Sequence, residues 1–305
     1  MSSILIAGGG YYPFLDDVIL ICGNTKKMEC PDLPYENGHS SMVVHDGAIL
    51  LCGGTDNSLP KNGVLRCLQL DQGAWLEHST LNHGRVFASA VATSKATFIF
   101  GGTINSTTYE YLPKGSSTWQ LGITKIPDQF KFGFAIEVKS DQEIWLIGGR
   151  NTGRRILSFD IKEHTFRELP IQLMQNRWAH QCAFIPGTNK LMINGGADQH
   201  HNRYEKRLQS STEIITIFKD GRLELTMSTP MNVARLGHGI GVITIDDEDK
   251  LAVFSGDGIP DIQMEVFNTQ TQTWEVTDKQ DFIRSGFGYL SVKNGAILSK
   301  LRSKF

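Results

Sequence analysis

Short apolar runs that end in glycine recur along the whole chain. Six of them can be aligned: ILIAGGG at 4–10, AILLCGG at 48–54, TFIFGG at 97–102, EIWLIGG at 143–149, KLMINGG at 190–196 and KLAVFSG at 250–256. Successive units lie 45 to 48 residues apart, except the last, which follows after 60. A nearly fixed period of this length predicts a repeat architecture with one insertion, in the fifth unit.

Each unit carries three further strand-like stretches. One precedes the glycine run, as in FGFAIEVKS at 132–140, and one follows it, as in ILSFDI at 156–161. The next begins with an aromatic residue in four units: Trp75, Trp119, Phe166 and Trp274. These stretches are rich in β-branched and aromatic residues and are bounded by Gly, Asp, Asn and Pro, whereas no segment has a helical period. The pattern predicts an all-β chain with four antiparallel strands per unit.

Four strands repeated at this period are typical of a β-propeller blade. The chain begins on a glycine strand, the second of a blade, and ends on RSGFGYLSVKNG at 284–295, a first strand. We therefore expect the C-terminal strand to complete the N-terminal blade and close the ring, which removes exposed sheet edges. The predicted organisation is one six-bladed propeller domain over residues 1–305.

The double glycine, the third strand, the Trp on strand four and the Arg about ten residues later resemble the kelch repeat. Three units depart from it: the first has Met28–Cys30 where Trp is expected, the fifth has RLELTM at 222–227, and the sixth has Ser255-Gly256 in place of a glycine pair. The resemblance implies a six-bladed kelch-type β-propeller that serves as a protein-interaction module, and a monomeric domain.

Cations precede strand one in most units. The equivalent positions are Glu36, Arg85, Lys131, Arg177, Arg235 and Arg284. Loops after strand two add Arg150, Arg154, Arg155, Arg203 and Arg207 on the same face. Converging guanidinium groups suit carboxylate or phosphate, so the sequence predicts an arginine-lined mouth that binds an acidic peptide or an anionic small molecule. The alternative is that these arginines brace neighbouring blades.

The resemblance extends to the binding site. In BTB-kelch adaptors, arginines at these positions bind acidic degron peptides with help from aromatic loop residues, and Tyr11 resembles one of those aromatics. The insertion at 197–213 contains Tyr204, which we expect to contact a partner over the mouth; the alternative is a surface loop without function.

Three histidines follow the predicted mouth positions by three residues: His39, His180 and His238. They are candidate binding residues, and we expect packing or hydrogen bonding from them rather than metal ligation. The chain has no GxSxG, HExxH or Walker lysine, so we predict no catalytic set, no metal and no cofactor. A sugar-directed enzyme resembling a six-bladed sialic acid mutarotase, and an actin-binding scaffold, are the alternatives.

Charge and hydrophobic content exclude two classes of binding partner. The net charge is −2 and 40% of residues are hydrophobic, without an apolar run long enough to span a bilayer, so we expect neither nucleic acid nor membrane as a partner. The trio Cys30, Cys52 and Cys67 resembles one in secreted animal kelch proteins, which implies a disulfide among the three; buried thiols are the other interpretation. The compartment therefore stays open between a cytoplasmic adaptor fragment and a secreted protein lacking its leader.

Overall fold

The alternating apolar positions of every repeat form strands, and the strands form six four-stranded antiparallel sheets. The computed structural model describes residues 1–10, 13–22, 26–57, 63–104, 106–128, 130, 132–198, 207–257, 263–279 and 284–293. In this part of the chain there is no helix, and hence none that could cross a bilayer. The six sheets are the blades of a β-propeller, which confirms the predicted fold class.

The strands follow the chain through the blades in order. Blade 1 contains β1 (Ser2–Gly9), β2 (Leu15–Cys22) and β3 (Lys26–Cys30). Blade 2 contains β4 (Ser41–His45), β5 (Ala48–Cys52), β6 (Arg66–Asp71) and β7 (Ala74–Thr80). Blade 3 contains β8 (Ser89–Ala92), β9 (Ala96–Phe100), β10 (Tyr109–Pro113) and β11 (Gln120–Leu121).

The second half of the ring repeats this arrangement. Blade 4 contains β12 (Ala135–Ser140), β13 (Glu143–Ile147), β14 (Ile156–Asp160) and β15 (Thr165–Glu168). Blade 5 contains β16 (Gln181–Phe184), β17 (Lys190–Asn194), the short ribbon β18 (Ala197–Asp198) and β19 (Arg207–Leu208), then β20 (Thr212–Ile217) and β21 (Leu223–Ser228). Blade 6 contains β22 (Gly239–Ile245), β23 (Glu248–Phe254), β24 (Gln263–Asn268) and β25 (Thr273–Lys279), and β26 (Gly288–Lys293) follows.

The last strand closes the ring as predicted. β26 pairs with β1 from Ser2↔Lys293 to Ala7↔Gly288, so blade 1 has the order β26-β1-β2-β3. Every innermost strand, including β26, lies beside the central shaft. In each of the six described sheets, the second strand is therefore paired on both sides.

The core lies between the blades because alternate residues of each strand face opposite neighbours. On β1, Leu5 packs in a cluster with Met42 and Leu51 of blade 2. The adjacent Ile4 and Ile6 pack in a different cluster, with blade 6. Strand-two residues such as these are fully buried. The period of two therefore joins each blade to both of its neighbours.

The glycines at the end of strand two are required by the close approach of neighbouring backbone. Gly149 has φ +111°, and a Cβ there would lie 3.0 Å from the Cβ of Phe134. Its N–H donates to the carbonyl of Arg177 in the next blade, at 2.8 Å. In blade 6, Ser255 replaces the first glycine with φ +57°, and its hydroxyl bonds the backbone N–H and C=O of Arg284. These bonds offset the cost of a left-handed serine.

The insertion of blade 5 is only partly described. β18 and β19 pair at its two ends. Tyr204 lies outside the described residues, and so do Tyr11 and Lys131, so these three predicted site residues stay predictions.

Candidate functional site

The arginines predicted to line the mouth are buried instead. The arginine layer, defined as Arg85, Arg177, Arg235 and Arg284, has relative exposures of 0 to 3%. Arg85 donates from Nε to Glu110 at 3.0 Å and from Nη1 to the Gly101 carbonyl at 2.7 Å. Arg177 with Glu213 and Arg235 with Glu265 repeat this pair. Their guanidinium groups are therefore bound inside the protein, which corrects the prediction of an arginine-lined mouth.

The glutamates extend this bracing to the preceding loop. Glu110 accepts the backbone N–H groups of Asn82 and His83, at 2.6 and 3.2 Å. Glu213 and Glu265 accept two backbone N–H groups each in the same way. Burial lowers the pKa of Arg85, Arg177 and Arg235, and the adjacent carboxylate opposes that shift. The bracing alternative considered from sequence therefore holds in part. The guanidinium groups brace strands of their own blade, and the backbone carbonyls of these arginines accept N–H groups from the preceding blade.

In blade 2, the residue equivalent to the arginines is not Glu36, as the alignment of the repeats predicted, but the next residue. The carbonyl of Asn37 accepts the N–H of Gly9, as the carbonyl of Arg85 accepts that of Gly54. Asn37, not Glu36, thus occupies the arginine position, and its amide donates to the Gly53 carbonyl at 3.0 Å. Glu36 is exposed.

Arg284 completes the arginine layer with a different partner. It pairs with Asp17 on β2 and donates from Nη1 to the Gly8 carbonyl at 3.2 Å. Asp17 is 44% exposed, so this pair is more open to water than the other three.

Two residues beyond each arginine position, every blade has a residue with positive φ. We call these six residues the mouth girdle: His39, Phe87, Gly133, Ala179, Gly237 and Gly286, with φ between +49° and +67°. Backbone bonds join neighbouring members: Phe87 N–H donates to the His39 carbonyl at 3.1 Å, and Ala179 N–H donates to the Gly133 carbonyl at 2.7 Å. Bonds from His39 to Gly286 and from Gly237 to Ala179 continue the girdle. Left-handed backbone is therefore built into the mouth of the shaft.

Aromatic side chains cluster on one side of this girdle. We call them the aromatic rim: Phe14, His39, Phe87, Phe132 and Trp178. The rings of His39 and Phe87 stack at 3.7 Å, and Phe14 meets His39 edge-on at 5.5 Å. The Arg150 guanidinium lies 5.3 Å from the Phe132 ring and 5.6 Å from the Trp178 ring. Arg150 is exposed, and Phe87 is 37% exposed. This arrangement presents flat apolar faces beside an accessible cation.

The three predicted histidines do not form one set. His180 and His238 are buried, and their rings lie over the first glycines of the preceding blades, Gly148 and Gly195. Burial and the nearby Arg177 lower the pKa of His180 to about 3. The pKa of His238 is also far below its usual range, mainly through burial, and its Nε2 lies 2.9 Å from Asn194 Oδ1. Both rings are thus neutral packing groups at pH 7.

His39 lies one residue earlier in its blade than His180 and His238 do in theirs, so it belongs to the girdle and the rim. Burial lowers its pKa to about 4, against the opposing influence of Asp257. Among the described residues, no group of three or more His, Cys, Asp or Glu side chains is placed to hold a metal ion.

The rim opens into the shaft, a cavity of about 770 Å³ between the innermost strands. Phe14, His39, Phe87 and Trp178 line its mouth. Further along the strands, polar groups line its wall: Glu137, Gln181 and Tyr289. A cavity of this size, mostly apolar with a few polar groups, has the properties of a small-molecule or peptide-side-chain site.

Sequence reasoning missed the girdle and most of the rim, although a signal was present. Three blades read Lys131-Phe-Gly, Arg235-Leu-Gly and Arg284-Ser-Gly, and the third position of this pattern becomes His, Phe or Ala in the others. A non-glycine residue at a glycine position two residues after a cation would have indicated the rim.

The cysteines give a specific pairing in blade 2. Cys52 and Cys67 lie opposite each other on β5 and β6 and form a disulfide. Cys22, Cys30 and Cys182 are free. The implied disulfide among Cys30, Cys52 and Cys67 is thus placed between the last two.

No protein-family model and no curated protein matches the chain. Of the solved structures, 399 chains match it, so the fold is too common to identify a function. One of them is the structure of YjhT, which aligns with a TM-score of 0.64 over 90% of this chain and 96% of that one. The two sequences are 12% identical, so this likeness supports the propeller fold and nothing more specific.

Proposed function

We propose that this chain is a non-catalytic recognition module that binds an acidic peptide at the aromatic rim. The observation that carries the proposal is the left-handed backbone of His39 and Phe87, at girdle positions where three other blades have glycine. The kelch resemblance of the repeats agrees with such a role, and membership of that family is part of the proposal.

The backbone geometry of the girdle does not require a side chain at these two positions. A left-handed non-glycine residue costs on the order of 1 kcal/mol, and glycine would supply the same girdle geometry without that cost. What glycine lacks is the ring. The stacked rings of His39 and Phe87 instead form part of the mouth wall, where Phe87 remains exposed. Strain kept at an aromatic pair that lines the mouth, with one ring exposed, is typical of a binding surface.

The acidic preference of the ligand rests on Arg150. The arginine layer is neutralised by internal carboxylates and is too deeply buried to meet a ligand. Arg150 holds its guanidinium against Phe132 and Trp178 and is exposed, so it is oriented but still accessible. A peptide carboxylate paired with Arg150 would place its neighbouring side chains on the rim rings.

The experiment is a selection of random peptides displayed on phage, followed by affinity measurements on individual synthetic peptides. We expect the selected peptides to combine Asp or Glu with an apolar or aromatic residue. Phe87→Gly should weaken their binding at least tenfold through the lost ring, and Arg150→Gln should do so through the lost charge.

Matched controls separate these effects from strain and net charge. Ala179→Gly relieves the same left-handed conformation without removing a ring, and Arg154→Gln removes an exposed guanidinium that lines a different pocket, with Gln175 and Asn176. Both controls should bind like the wild type. Selected peptides that bind Phe87→Gly and Arg150→Gln as tightly as the wild type would contradict the proposal.

The sugar-enzyme alternative depended on mouth arginines to hold a sugar carboxylate. The arginine layer is committed to internal ion pairs, but the exposed Arg150 suits a sugar carboxylate as well as a peptide carboxylate, so the described residues are compatible with both functions. Acceleration of sialic acid anomer exchange by the protein, measured by NMR, would support the sugar-enzyme alternative. The actin-scaffold alternative has no specific observation in its favour and would need co-sedimentation with actin filaments.

A further inference from the structure

Inside the shaft, one carboxyl group has no cationic partner among the described residues. Glu137 lies on β12 and lines the cavity. Its Oε1 accepts a hydrogen bond from the backbone N–H of the adjacent Val138, at 3.0 Å. An anion in such a site loses hydration without gaining an opposite charge, which is costly. Accordingly, burial raises the pKa of Glu137 to about 7.

The strands packed around Glu137 supply no cation directed at it. β8 (Ser89–Ala92) has no titratable side chain. In the same blade as Glu137, the cations Lys139 and Arg167 instead pair with Glu143 on β13, both at 3.2 Å. Cys182 on β16 and Tyr289 on β26 have raised pKa values, mainly through burial and partly through the proximity of Glu137. Both are therefore neutral at pH 7, and Glu137 is the group there that becomes negative.

A polar contact inside the shaft lies close to this carboxyl. The Tyr289 hydroxyl of blade 1 donates to Gln181 Oε1 of blade 5, at 2.7 Å. The two blades lie on either side of blade 6, so this bond passes in front of blade 6 inside the shaft. Tyr289 offers a π face and Gln181 an amide beside the Glu137 carboxyl, and these groups suit a charged nitrogen.

The depth of Glu137 limits the ligand. Glu137 follows the girdle residue Gly133 by four residues, which corresponds to roughly 13 Å at strand spacing. A lysine or arginine side chain on a peptide held at the rim would not extend so far. The ligand must therefore enter the cavity as a whole, and 770 Å³ is a suitable volume for a small molecule.

We propose that the shaft binds a small organic molecule carrying a primary ammonium group, with Glu137 as its counterion. The site is deeper than the aromatic rim, so the inference goes beyond the proposed peptide binding and would hold without it. The ammonium takes the place of the cation that the protein does not provide, and the apolar part of the molecule lies among the shaft walls.

The test compares 2-phenylethylamine with 2-phenylethanol, which have the same shape but differ in charge. Isothermal titration of the full chain at pH 8 should show binding of the amine at least tenfold tighter than of the alcohol. Glu137→Gln should remove that preference, while the control Glu168→Gln, an exposed carboxylate on β15 of the same blade, should retain it.

Two measurements on the wild type keep the test independent of how the variant folds. Amine affinity should fall as the pH is lowered from 8 to 5.5, and alcohol affinity should not. At pH 7, amine binding should release a fraction of a proton, measured by titration in phosphate and in Tris. Equal binding of amine and alcohol, no binding of the amine at millimolar concentration, or undiminished amine binding by folded Glu137→Gln would overturn the proposal.

Discussion

At the mouth of the shaft, the arginine layer and the mouth girdle lie only two residues apart along the chain. Arg235 is fully buried, with its guanidinium bound to Glu265 and to the Ser255 carbonyl. Two residues after Arg85, in contrast, Phe87 holds a 37% exposed ring on a left-handed backbone. The arginine side chains hold together the strands of one blade, whereas the girdle carries the accessible groups. Residue type alone is therefore a poor guide here: the charged position is structural, and the position suited to glycine is the candidate for binding.

The largest expected effect is loss of the arginine layer. Arg235→Met should lower the free energy of unfolding by about 3 to 5 kcal/mol, because Glu265 is left buried without its partner. Arg150→Met, on the exposed rim, should change it by less than about 0.5 kcal/mol. Urea denaturation measures both. The double variant Arg235→Met/Glu265→Leu should recover part of the loss, and a single variant as stable as the wild type would contradict the structural role.

Blade 2 differs from the blades with a buried arginine because it has Asn37 at that position and also contains the disulfide between Cys52 and Cys67. Replacing Cys52 and Cys67 by alanine should lower stability by about 3 kcal/mol, through loss of a crosslink across a sequence separation of 15 residues. Cys22→Ala, at a half-buried free thiol, should cost less than the double replacement. In the unreduced, denatured wild type, thiol titration should find the three free cysteines, Cys22, Cys30 and Cys182. Five reactive thiols would exclude the disulfide.

The next effect is the pH dependence of stability caused by Glu137, which lies in the shaft below the arginine layer and the mouth girdle. In the unfolded chain Glu137 loses its proton near pH 4.5, whereas in the folded protein it keeps it until about pH 7. The folded state therefore binds more protons in this window, and the contribution of Glu137 to stability falls as the pH rises through it. Relative to wild type, Glu137→Gln should gain about 2 to 3 kcal/mol between pH 5 and pH 8. Denaturation at both pH values checks this, and a constant difference would contradict the raised pKa.

The histidines act on stability in the opposite direction. His180 has a pKa of about 3 in the folded protein against 6.5 in the unfolded chain. The unfolded chain thus takes up protons first as the pH falls below 6.5, which destabilises the fold towards acid. Comparing each variant with wild type at the same pH removes this shared effect from the Glu137 measurement.

The smallest expected effect is on the girdle. Phe87→Gly should change the free energy of unfolding by less than about 1 kcal/mol, because relief of the left-handed strain offsets the added flexibility of the unfolded chain. Ala179→Gly should behave similarly. Thermal denaturation gives both values. A loss of several kcal/mol in Phe87→Gly would show that the ring serves the fold rather than a ligand.

Much of the fold could be predicted because it depends on local patterns. The glycine at the end of strand two and the alternation within strands lie close together in sequence and repeat six times, and an aromatic residue opens strand four in four of the units. Strand closure by β26 followed from counting strands. The site could not be predicted in the same way. Whether the Arg177 side chain faces the shaft or Glu213 depends on a residue 36 positions away in the sequence. In blade 2, Asn37 occupies the position equivalent to the arginines, one residue after Glu36, which the sequence pattern had indicated.

By itself, then, the sequence determined the blade number, the strand order and the way in which the ring closes, because backbone pairing and burial follow from the period of the pattern. It also supplied the cysteines from which a disulfide forms. Only the tertiary structure decided which groups face the ligand space. Burial commits the arginine layer to carboxylates on the third strand of the same blade, since a desolvated guanidinium needs a partner. The close approach of six girdle residues around one axis then leaves the rings of His39 and Phe87 at the mouth, and leaves Glu137 in the shaft without a cation among the described residues.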